Sequence, residues 1–124
     1  MGKFLGLGLG LVAVMAALGG STAARADDDG EKLFKKYCSA CHTTDEGKNR
    51  VGPSLHAVVG RTAGSIGGFA YSAGVKAAGF TWTPEKLDSW LTDPKALIPG
   101  NKMTFAGVKD AGERTALIGF LRDK

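Results

Sequence analysis

This chain has few cysteines, little excess charge and almost no long apolar runs. Two cysteines in 124 residues are too few for a scaffold that disulfides hold together. The formal net charge is only +4, from 16 Lys and Arg residues against 12 Asp and Glu residues. With 44% hydrophobic and 23% charged residues, the composition excludes a disordered or fibrous chain. The length predicts one domain and leaves too little chain for a large enzyme with a roomy substrate cleft.

Glycine is the residue in excess, with 19 copies that predict long turns rather than a strand-rich sandwich. Helical periodicity and capping residues predict three main helices and a short one. The first main helix follows Asp27–Asp29, the second runs from Thr83-Pro84 to Asp93-Pro94, and the third runs from Asp110 towards the C-terminus. The short helix covers Ser72–Ala78. Between Thr43 and Ala70, six glycines and little periodicity predict a long loop of the kind that is usually functional. Three helices supply few apolar residues for a core of this size. A further group is therefore expected to fill the centre of the domain.

The first 26 residues have the organisation of a secretory signal peptide. Lys3 provides a positive n-region, Phe4–Leu18 is an uncharged apolar run, and Ala24-Arg25-Ala26 is a small-x-small cleavage pattern. A retained membrane anchor is the alternative, but a spanning helix needs about 20 apolar residues and this run is shorter. We therefore predict a cleaved signal peptide over residues 1–26 and a single domain over 27–124. Cleavage leaves 98 residues with a net charge of +2, exported in soluble form to an oxidising compartment, the periplasm.

The segment Cys38-Ser39-Ala40-Cys41-His42 has the C-x-x-C-H spacing of haem c attachment sites. On a helix, residues i and i+3 lie on one face, so both thiols can reach the two vinyl groups of one porphyrin. His42 follows directly and can place its imidazole on the iron. A CxxC disulfide or a thioredoxin-like dithiol is an alternative, but it needs a βαβ context and leaves His42 without a role. A structural zinc site needs four ligands, and the mature chain has only two cysteines and two histidines.

Two residues compete for the second axial position. Met103 is the only methionine left after cleavage, and the segment Ile98–Met103 has the Pro and Gly of a stiff loop. A lone methionine can also be core filler, although filler is expected within a periodic apolar stripe. His56, in the Gly-rich loop, would instead give a bis-histidine site. Sequence position favours Met103.

Five ordered motifs resemble class I cytochrome c, most closely its bacterial cytochrome c2 and mitochondrial-type branch. The resemblance runs from about Gly30 to Leu121 and rests on Cys38–His42, Gly52-Pro53-Ser54-Leu55-His56, Gly60-Arg61, Phe69-Ala70-Tyr71-Ser72 and Pro99–Gly107. It implies an all-α cytochrome c fold, with three main helices, a short helix and long loops wrapped around one covalently bound haem. It also implies a crossing of the first and last helices at Gly30, Phe34, Leu117 and Phe120.

The resemblance also assigns roles to candidate site residues. It implies one haem c per chain, attached through Cys38 and Cys41, with His42 and Met103 on its opposite axial sites. In the family, the carbonyl at the position of Pro53 accepts the second imidazole N–H, which fixes the orientation of the ring.

Further residues match positions around the haem propionates in the family. Tyr71 and Trp82 correspond to residues that hydrogen-bond a propionate, and Arg61 corresponds to a residue that offsets the propionate charge. The two aromatic side chains can also pack in the hydrophobic core. Two positions depart from the family: Val75, where Asn is frequent, and Trp90, where Tyr commonly donates to the methionine sulfur. We expect these departures to alter the reduction potential or the methionine–iron bond without changing the function.

The function that the resemblance implies is one-electron transfer, not catalysis. Two axial side chains leave iron no open position, and a thioether raises its potential relative to a second imidazole. The expected donor is a bc1 complex or a dehydrogenase, and the expected acceptor is an oxidase, a reaction centre or a reductase. No nucleic acid partner and no stable membrane insertion are expected, and the protein is expected to be a monomer. Docking to an acidic partner is expected through Lys35, Lys36, Lys95 and Lys102.

Two other classes of function stay open from the sequence. One is a haem enzyme, such as a peroxidase or a gas-binding protein, with a vacated sixth site. The other is a haem-free dithiol oxidoreductase. Met103 in its matching loop argues against the first, and the absence of a βαβ pattern argues against the second.

Overall fold

The computed structural model of the chain describes Gly2, Gly6 and residues 22–124, and in that last stretch it describes side chains from Asp28 onward. Most of the predicted signal peptide, residues 1–26, lies outside the described residues, and its cleavage stays a prediction. Within the described part, no helix is both long enough and apolar enough to cross a membrane.

Five helices make up the regular structure of residues 22–124, where the only extended pairing is an isolated antiparallel bridge between Thr62 and Thr81. In chain order they are α1 (Thr22–Tyr37), α2 (Ala73–Ala77), α3 (Pro84–Thr92), α4 (Pro94–Leu97) and α5 (Ala111–Arg122). The predicted all-α class is therefore confirmed. Long irregular segments join α1 to α2 and α4 to α5, and these segments carry most of the candidate site residues.

Side-chain caps set where the later helices begin. The hydroxyl of Thr83 accepts a hydrogen bond from Lys86 N at 3.1 Å, and Asp110 Oδ1 accepts one from Glu113 N at 2.8 Å. Each cap satisfies an N–H group that has no partner inside its helix. Pro84 takes the first position of α3, where a missing N–H costs nothing. Both helix starts lie where the sequence predicts them.

Two boundaries differ from those expected. Asp93-Pro94 ends α3 as predicted, but it also begins α4, because Asp93 Oδ1 accepts from Ala96 N at 3.3 Å and proline takes the first helical position. A helix as short as α4 shows no periodicity, so the sequence pattern missed it. Helix α1 begins at Thr22, ahead of Asp27–Asp29, so in the full chain these carboxylates do not lie in its first turn.

The most extensive helix packing is the crossing of α1 and α5, at the residues that the resemblance implies. A Cβ atom at Gly30 would stand 2.6 Å from Ala116 O and 2.6 Å from Phe120 Cβ, so only a hydrogen atom fits there. The rings of Phe34 and Phe120 pack nearby with centroids 5.4 Å apart. Leu117 is completely buried. The missing side chain at Gly30 lets the two helices approach closely enough to bury these residues.

The buried residues of the core enclose a space. Six of them belong to the hydrophobic cluster and also line one cavity: Val58, Trp82, Leu87, Leu91, Leu117 and Leu121. Protein interiors are otherwise close-packed, with few voids larger than a water molecule. A core of this form therefore accommodates a bound group at its centre.

Replacing Gly30 with alanine should lower the free energy of unfolding by about 1–3 kcal/mol, because the added methyl group overpacks the α1–α5 crossing. Gly119→Ala is the matched control, since Gly119 lies at an exposed position of α5 where a Cβ meets no atom within 4 Å. That control should raise stability by about 0.5–1 kcal/mol. Thermal unfolding of both purified variants checks the prediction, and a Gly30→Ala variant as stable as the parent would contradict it.

Candidate functional site

A cavity of about 460 Å³ lies at the centre of the fold, a size typical of sites that hold a small molecule or cofactor. Its walls come mainly from the long segment between α1 and α2, from α3, from the loop between α4 and α5, and from α5. Most lining side chains are apolar. The structure brings all eight candidate site residues to this cavity: Cys38, Cys41, His42, Pro53, Arg61, Tyr71, Trp82 and Met103.

The two cysteines lie on a turn that continues α1. The N–H of Cys38 donates to Phe34 O at 2.8 Å, and the N–H of His42 donates to Cys38 O at 2.9 Å, so helical bonding persists past Tyr37. Both thiols are free and half-buried. Burial, with a smaller contribution from Cys41, raises the pKa of Cys38 to about 11, so this thiol is protonated at neutral pH. Dithiol oxidoreductases depend on a lowered thiol pKa, and the environment of Cys38 has the opposite effect.

A single backbone carbonyl orients the imidazole of His42. Its Nδ1 lies 2.7 Å from Pro53 O, and because a carbonyl can only accept, Nδ1 carries the proton. The lone pair on Nε2 is then available for a metal. Burial is the main cause of the lowered pKa of His42. The hydrogen bond to Pro53 raises this pKa, and the positive charge of Arg61 lowers it further. The neutral imidazole that metal binding requires is therefore favoured.

Gly52 provides the space in which the His42 ring lies. A Cβ atom on Gly52 would stand 2.7 Å from Nδ1 and 2.8 Å from Nε2 of that ring, which leaves no room for a side chain. Gly52 N also donates to Cys41 O at 2.8 Å and so ties this loop to the cysteine turn. The motif Gly52–His56 does not predict this steric role of Gly52. The local sequence carries no signal for it, because the close approach is to a ring ten positions earlier in the chain.

Met103 lines the cavity from the loop between α4 and α5. Its N–H donates to Asn101 Oδ1 at 3.0 Å, and the N–H of Phe105 donates to Met103 O at 3.0 Å, so the backbone on both sides of the methionine is bonded. Gly100, with φ of +78°, makes the left-handed turn that leads into this segment. The loop therefore has a defined path where the methionine reaches the cavity.

His56, the competing ligand candidate, is not among the residues that line the cavity. Its N–H donates to Ser54 Oγ at 3.1 Å, and its carbonyl accepts from Arg61 Nη1 at 2.8 Å. Arg61 is half-buried and does line the cavity. Burial lowers the pKa of Arg61, yet a guanidinium stays protonated in proteins, so the cavity wall carries a positive charge.

Tyr71 and Trp82 add polar groups to an otherwise aromatic wall. The hydroxyl of Tyr71 accepts from Ile66 N at 3.1 Å, which leaves its own hydrogen available to an acceptor. Trp82 is buried, and its ring packs edge-on against Phe80 with centroids 4.9 Å apart. Rings fixed in this way hold their polar tips in place.

The two departures from the family pattern, Val75 and Trp90, also line the cavity. The ring of Trp90 packs edge-on against Trp82 with centroids 5.4 Å apart, so an indole takes part in the wall where the family commonly has a phenol. The expected effect of both residues on the reduction potential stays a prediction.

The chemistry of the lining residues fits a covalently bound haem. Two thiols three residues apart, an imidazole of fixed tautomer and a thioether reach one apolar cavity, and imidazole with thioether is a ligand pair of haem iron in cytochromes. A charged guanidinium in the wall suits the carboxylates that such a group carries. Across the described residues, no three His, Cys, Asp or Glu side chains are grouped to hold a metal ion on their own. The alternative of a structural zinc site is therefore unsupported.

Comparison with known proteins finds relatives that cover most of the chain. Residues 25–121 match the family described as cytochrome c oxidase, cbb3-type, subunit III. The chain is 47% identical to cytochrome c 2.1 of Caenorhabditis elegans over 94 residues, which covers 76% of this chain and 85% of that protein. It is 46% identical to cytochrome c2 of Blastochloris viridis over 110 residues, covering 88% and 86%. Cytochrome c2 iso-2 of Magnetospirillum fulvum is 48% identical over 85 residues, covering 68% and 88%.

Replacing Gly52 with alanine should displace the His42 ring from Pro53 O, because the new methyl group and the ring cannot share the same space. We expect a loss of about 1–3 kcal/mol in the free energy of unfolding. Gly67→Ala, in the same long loop but with no atom within 4 Å of the added Cβ, is the matched control. Nitrogen-15 chemical shifts of the His42 ring and thermal unfolding report the two effects. Unchanged ring shifts in the Gly52→Ala variant would contradict the assigned steric role.

Proposed function

Since this chain belongs to the class I cytochrome c family, we propose that it is a soluble periplasmic electron carrier with one haem c and His/Met axial ligation. In this proposal, Cys38 and Cys41 attach the haem, and His42 and Met103 are its axial ligands. Electron transport is the function of the family, and the chain accordingly acts as a carrier rather than as an enzyme.

The observation that carries the proposal is the convergence of the attachment cysteines and both ligand candidates on one cavity. Cys38, Cys41 and His42 reach it from the end of α1, and Met103 reaches it from a loop more than sixty positions later in the chain. His56 does not line it. Thiols, an imidazole and a thioether from two distant segments therefore face one apolar site, as a single bound haem requires.

The protein's task is to hold two ligating atoms in fixed places. When bound, haem c supplies iron that gains and loses one electron. The bond from His42 Nδ1 to Pro53 O fixes the imidazole tautomer and raises the basicity of Nε2 as a ligand. Met103 provides a thioether, which favours the reduced state relative to a second imidazole. With ligands held in both oxidation states, electron transfer requires little rearrangement of the chain.

The same arrangement disfavours the two alternative functions. With His42 and Met103 both ligated, no coordination position stays open for peroxide or a gas. The raised pKa of Cys38 disfavours the thiolate that a dithiol oxidoreductase requires. Both points support a carrier.

Arg61, Tyr71 and Trp82 are proposed to receive the haem carboxylates. The guanidinium of Arg61 stays charged and is anchored to His56 O, so it offsets a carboxylate without moving. Tyr71 and Trp82 line the same cavity, and each side chain carries a hydrogen-bond donor. Carboxylates taken into a half-buried site need such partners, because unpaired charges are costly to bury.

Export to the periplasm is part of the proposal, with residues 1–26 as a cleaved signal peptide and 27–124 as the functional domain. The n-region, the apolar run and the small-x-small pattern support it. Attachment of haem to thiols also suits an exported protein, since the cysteines are then protected from oxidation to disulfides.

Positive charges flank the segments that form the cavity. Lys35 and Lys36 occupy the last turn of α1 beside Cys38, Lys95 lies in α4, and Lys102 lines the cavity itself. All four are exposed. Lys35 pairs with Glu31 at 3.0 Å, so part of its field is neutralised. We propose that these lysines dock an acidic face of a bc1 complex or dehydrogenase as donor, and of an oxidase, reaction centre or reductase as acceptor.

The absorption spectrum of the holoprotein tests the ligand set. The reduced form should show the bands of a haem with two thioether links, and the oxidised form a weak far-red sulfur–iron band. Met103→Ala should remove the far-red band, whereas the matched variant His56→Ala should retain it. A band that survives in Met103→Ala, or carbon monoxide binding to the reduced parent at neutral pH, would overturn the assignment.

Salt should slow electron exchange with the protein's own oxidase or bc1 complex, because ions screen the attraction between the lysines and an acidic partner. Lys102→Gln should lower the rate at low ionic strength roughly 1.5- to 5-fold, as expected for one exposed charge worth about 0.2–1 kcal/mol at the docking lysine that lines the cavity. Lys86→Gln is the control, because Lys86 lies over the Phe80 ring and does not line the cavity. Stopped-flow rates that do not depend on salt would count against the docking proposal.

A further inference from the structure

The side chain of Asn101 makes three hydrogen bonds to backbone atoms around the Met103 loop. Its Nδ2 donates to Pro94 O at 3.1 Å and to Ile98 O at 2.9 Å, and its Oδ1 accepts from Met103 N at 3.0 Å. Carbonyls only accept and a backbone N–H only donates, so one orientation of the amide satisfies all three partners. A primary amide is the side-chain group that offers both functions in this geometry.

The two carbonyls that Asn101 binds belong to a rigid anchor. Pro94 and Ile98 are both buried, at the first position and at the C-cap of α4. Pro94 O also accepts from Ile98 N at 3.0 Å and Ile98 O from the Asn101 backbone N–H at 3.3 Å, so the amide adds a second donor to each carbonyl. Helix α2 packs closely behind, since a Cβ on Gly74 would stand 2.9 Å from Ile98 Cγ2. Asn101 therefore fastens the methionine to a part of the fold that does not move easily.

The other end of the loop is fastened independently. Arg114 Nη1 donates to Val108 O at 2.9 Å and to Lys109 O at 3.0 Å, while its Nε pairs with Asp88 at 2.8 Å. The Lys109 ammonium donates to Thr92 O at 2.7 Å. These bonds secure the loop five residues or more beyond Met103. Closer to the methionine, the ring of Phe105 packs against Tyr37 with centroids 6.2 Å apart, and Asn101 is the side chain that hydrogen-bonds the backbone of Met103.

We propose that Asn101 is a positioning residue that controls how readily Met103 leaves the cavity. The inference rests on the proposed role of Met103 as a ligand. It adds that Asn101 determines how firmly Met103 is kept in the cavity. If the loop opens, the three bonds of Asn101 break together, so they oppose opening directly. Removing them raises the open population and exposes the axial position to an external ligand, because a competitor binds only the open state.

Imidazole binding to the oxidised holoprotein measures this opening, with loss of the far-red sulfur–iron band as the readout. Asn101→Ala should bind imidazole about tenfold more tightly than the parent or better, given that three bonds are lost and each contributes about 0.5 kcal/mol at the low end of the usual range. Asn101→Asp keeps the acceptor for Met103 N but replaces the donor that binds Pro94 O and Ile98 O. It should therefore also bind more tightly, although it matches asparagine in shape.

Thr83→Ala is the matched control for general loss of stability. It removes a single side-chain bond, to Lys86 N at the start of α3, and should lower global stability by about 1 kcal/mol. Its affinity for imidazole should stay within about twofold of the parent, because it does not touch the Met103 loop. Equal affinities in Asn101→Ala and the parent, or an equal increase in Thr83→Ala, would overturn the proposal.

A second readout separates this inference from the proposed ligand set. Amide hydrogen exchange over residues 98–104 should be faster in Asn101→Ala and unchanged in Thr83→Ala, whether or not Met103 binds iron. If the parent lacks the far-red band, the assignment of Met103 as a ligand fails. Exchange then still tests Asn101, and unaltered exchange in Asn101→Ala would show that it does not fasten the loop.

Discussion

The central constraint on this protein is that its own side chains do not fill its centre. Buried residues from the long loop, from α3 and from α5 line a cavity of about 460 Å³, among them Val58, Leu87 and Leu117. A domain of this size depends on its core for stability, because small domains bury a smaller share of their surface. A large apolar group bound in this cavity would therefore contribute to folding as well as to function. This explains why loops rather than helices dominate the chain around the site.

Within that cavity, backbone groups and one amide side chain hold the two ligand candidates. A carbonyl orients His42 from one loop, and Asn101 fixes the path of the loop that carries Met103. Gly52 and Gly100 serve these two loops in different ways, the first by leaving room for a ring and the second by turning the chain at positive φ. Ligands held from the backbone move little when a charge changes. Such a site suits a carrier that passes electrons without binding a substrate.

Much of the fold and of the site could be predicted from local sequence signals. Thr83 and Asp110 predict where their helices begin, because a cap acts within four residues. The C-x-x-C-H spacing places two thiols and an imidazole on one turn. Helix α4 could not be predicted in this way, because a helix this short has no period and depends on packing. The resemblance to a family extended the prediction to residues far apart in sequence, such as Arg61 and Trp82.

The contacts that sequence reasoning missed depend on three-dimensional geometry. Gly52 matters through the ring of His42, ten positions earlier, and Asn101 matters through carbonyls of a helix that was itself not predicted. Neither residue type signals such a role by itself. Asparagine beside glycine is typical of turns, so its side-chain bonds became visible only once α4 and the loop were placed together.

Iron K-edge X-ray absorption of the oxidised holoprotein tests whether Met103 is a ligand of the iron. We expect a sulfur ligand at the iron together with nitrogen ligands from the porphyrin and His42. We also expect the sulfur contribution to disappear in Met103→Ala. Nitrogen ligands alone in the parent protein, as a second histidine would give, or an iron site with an open sixth position, would contradict it.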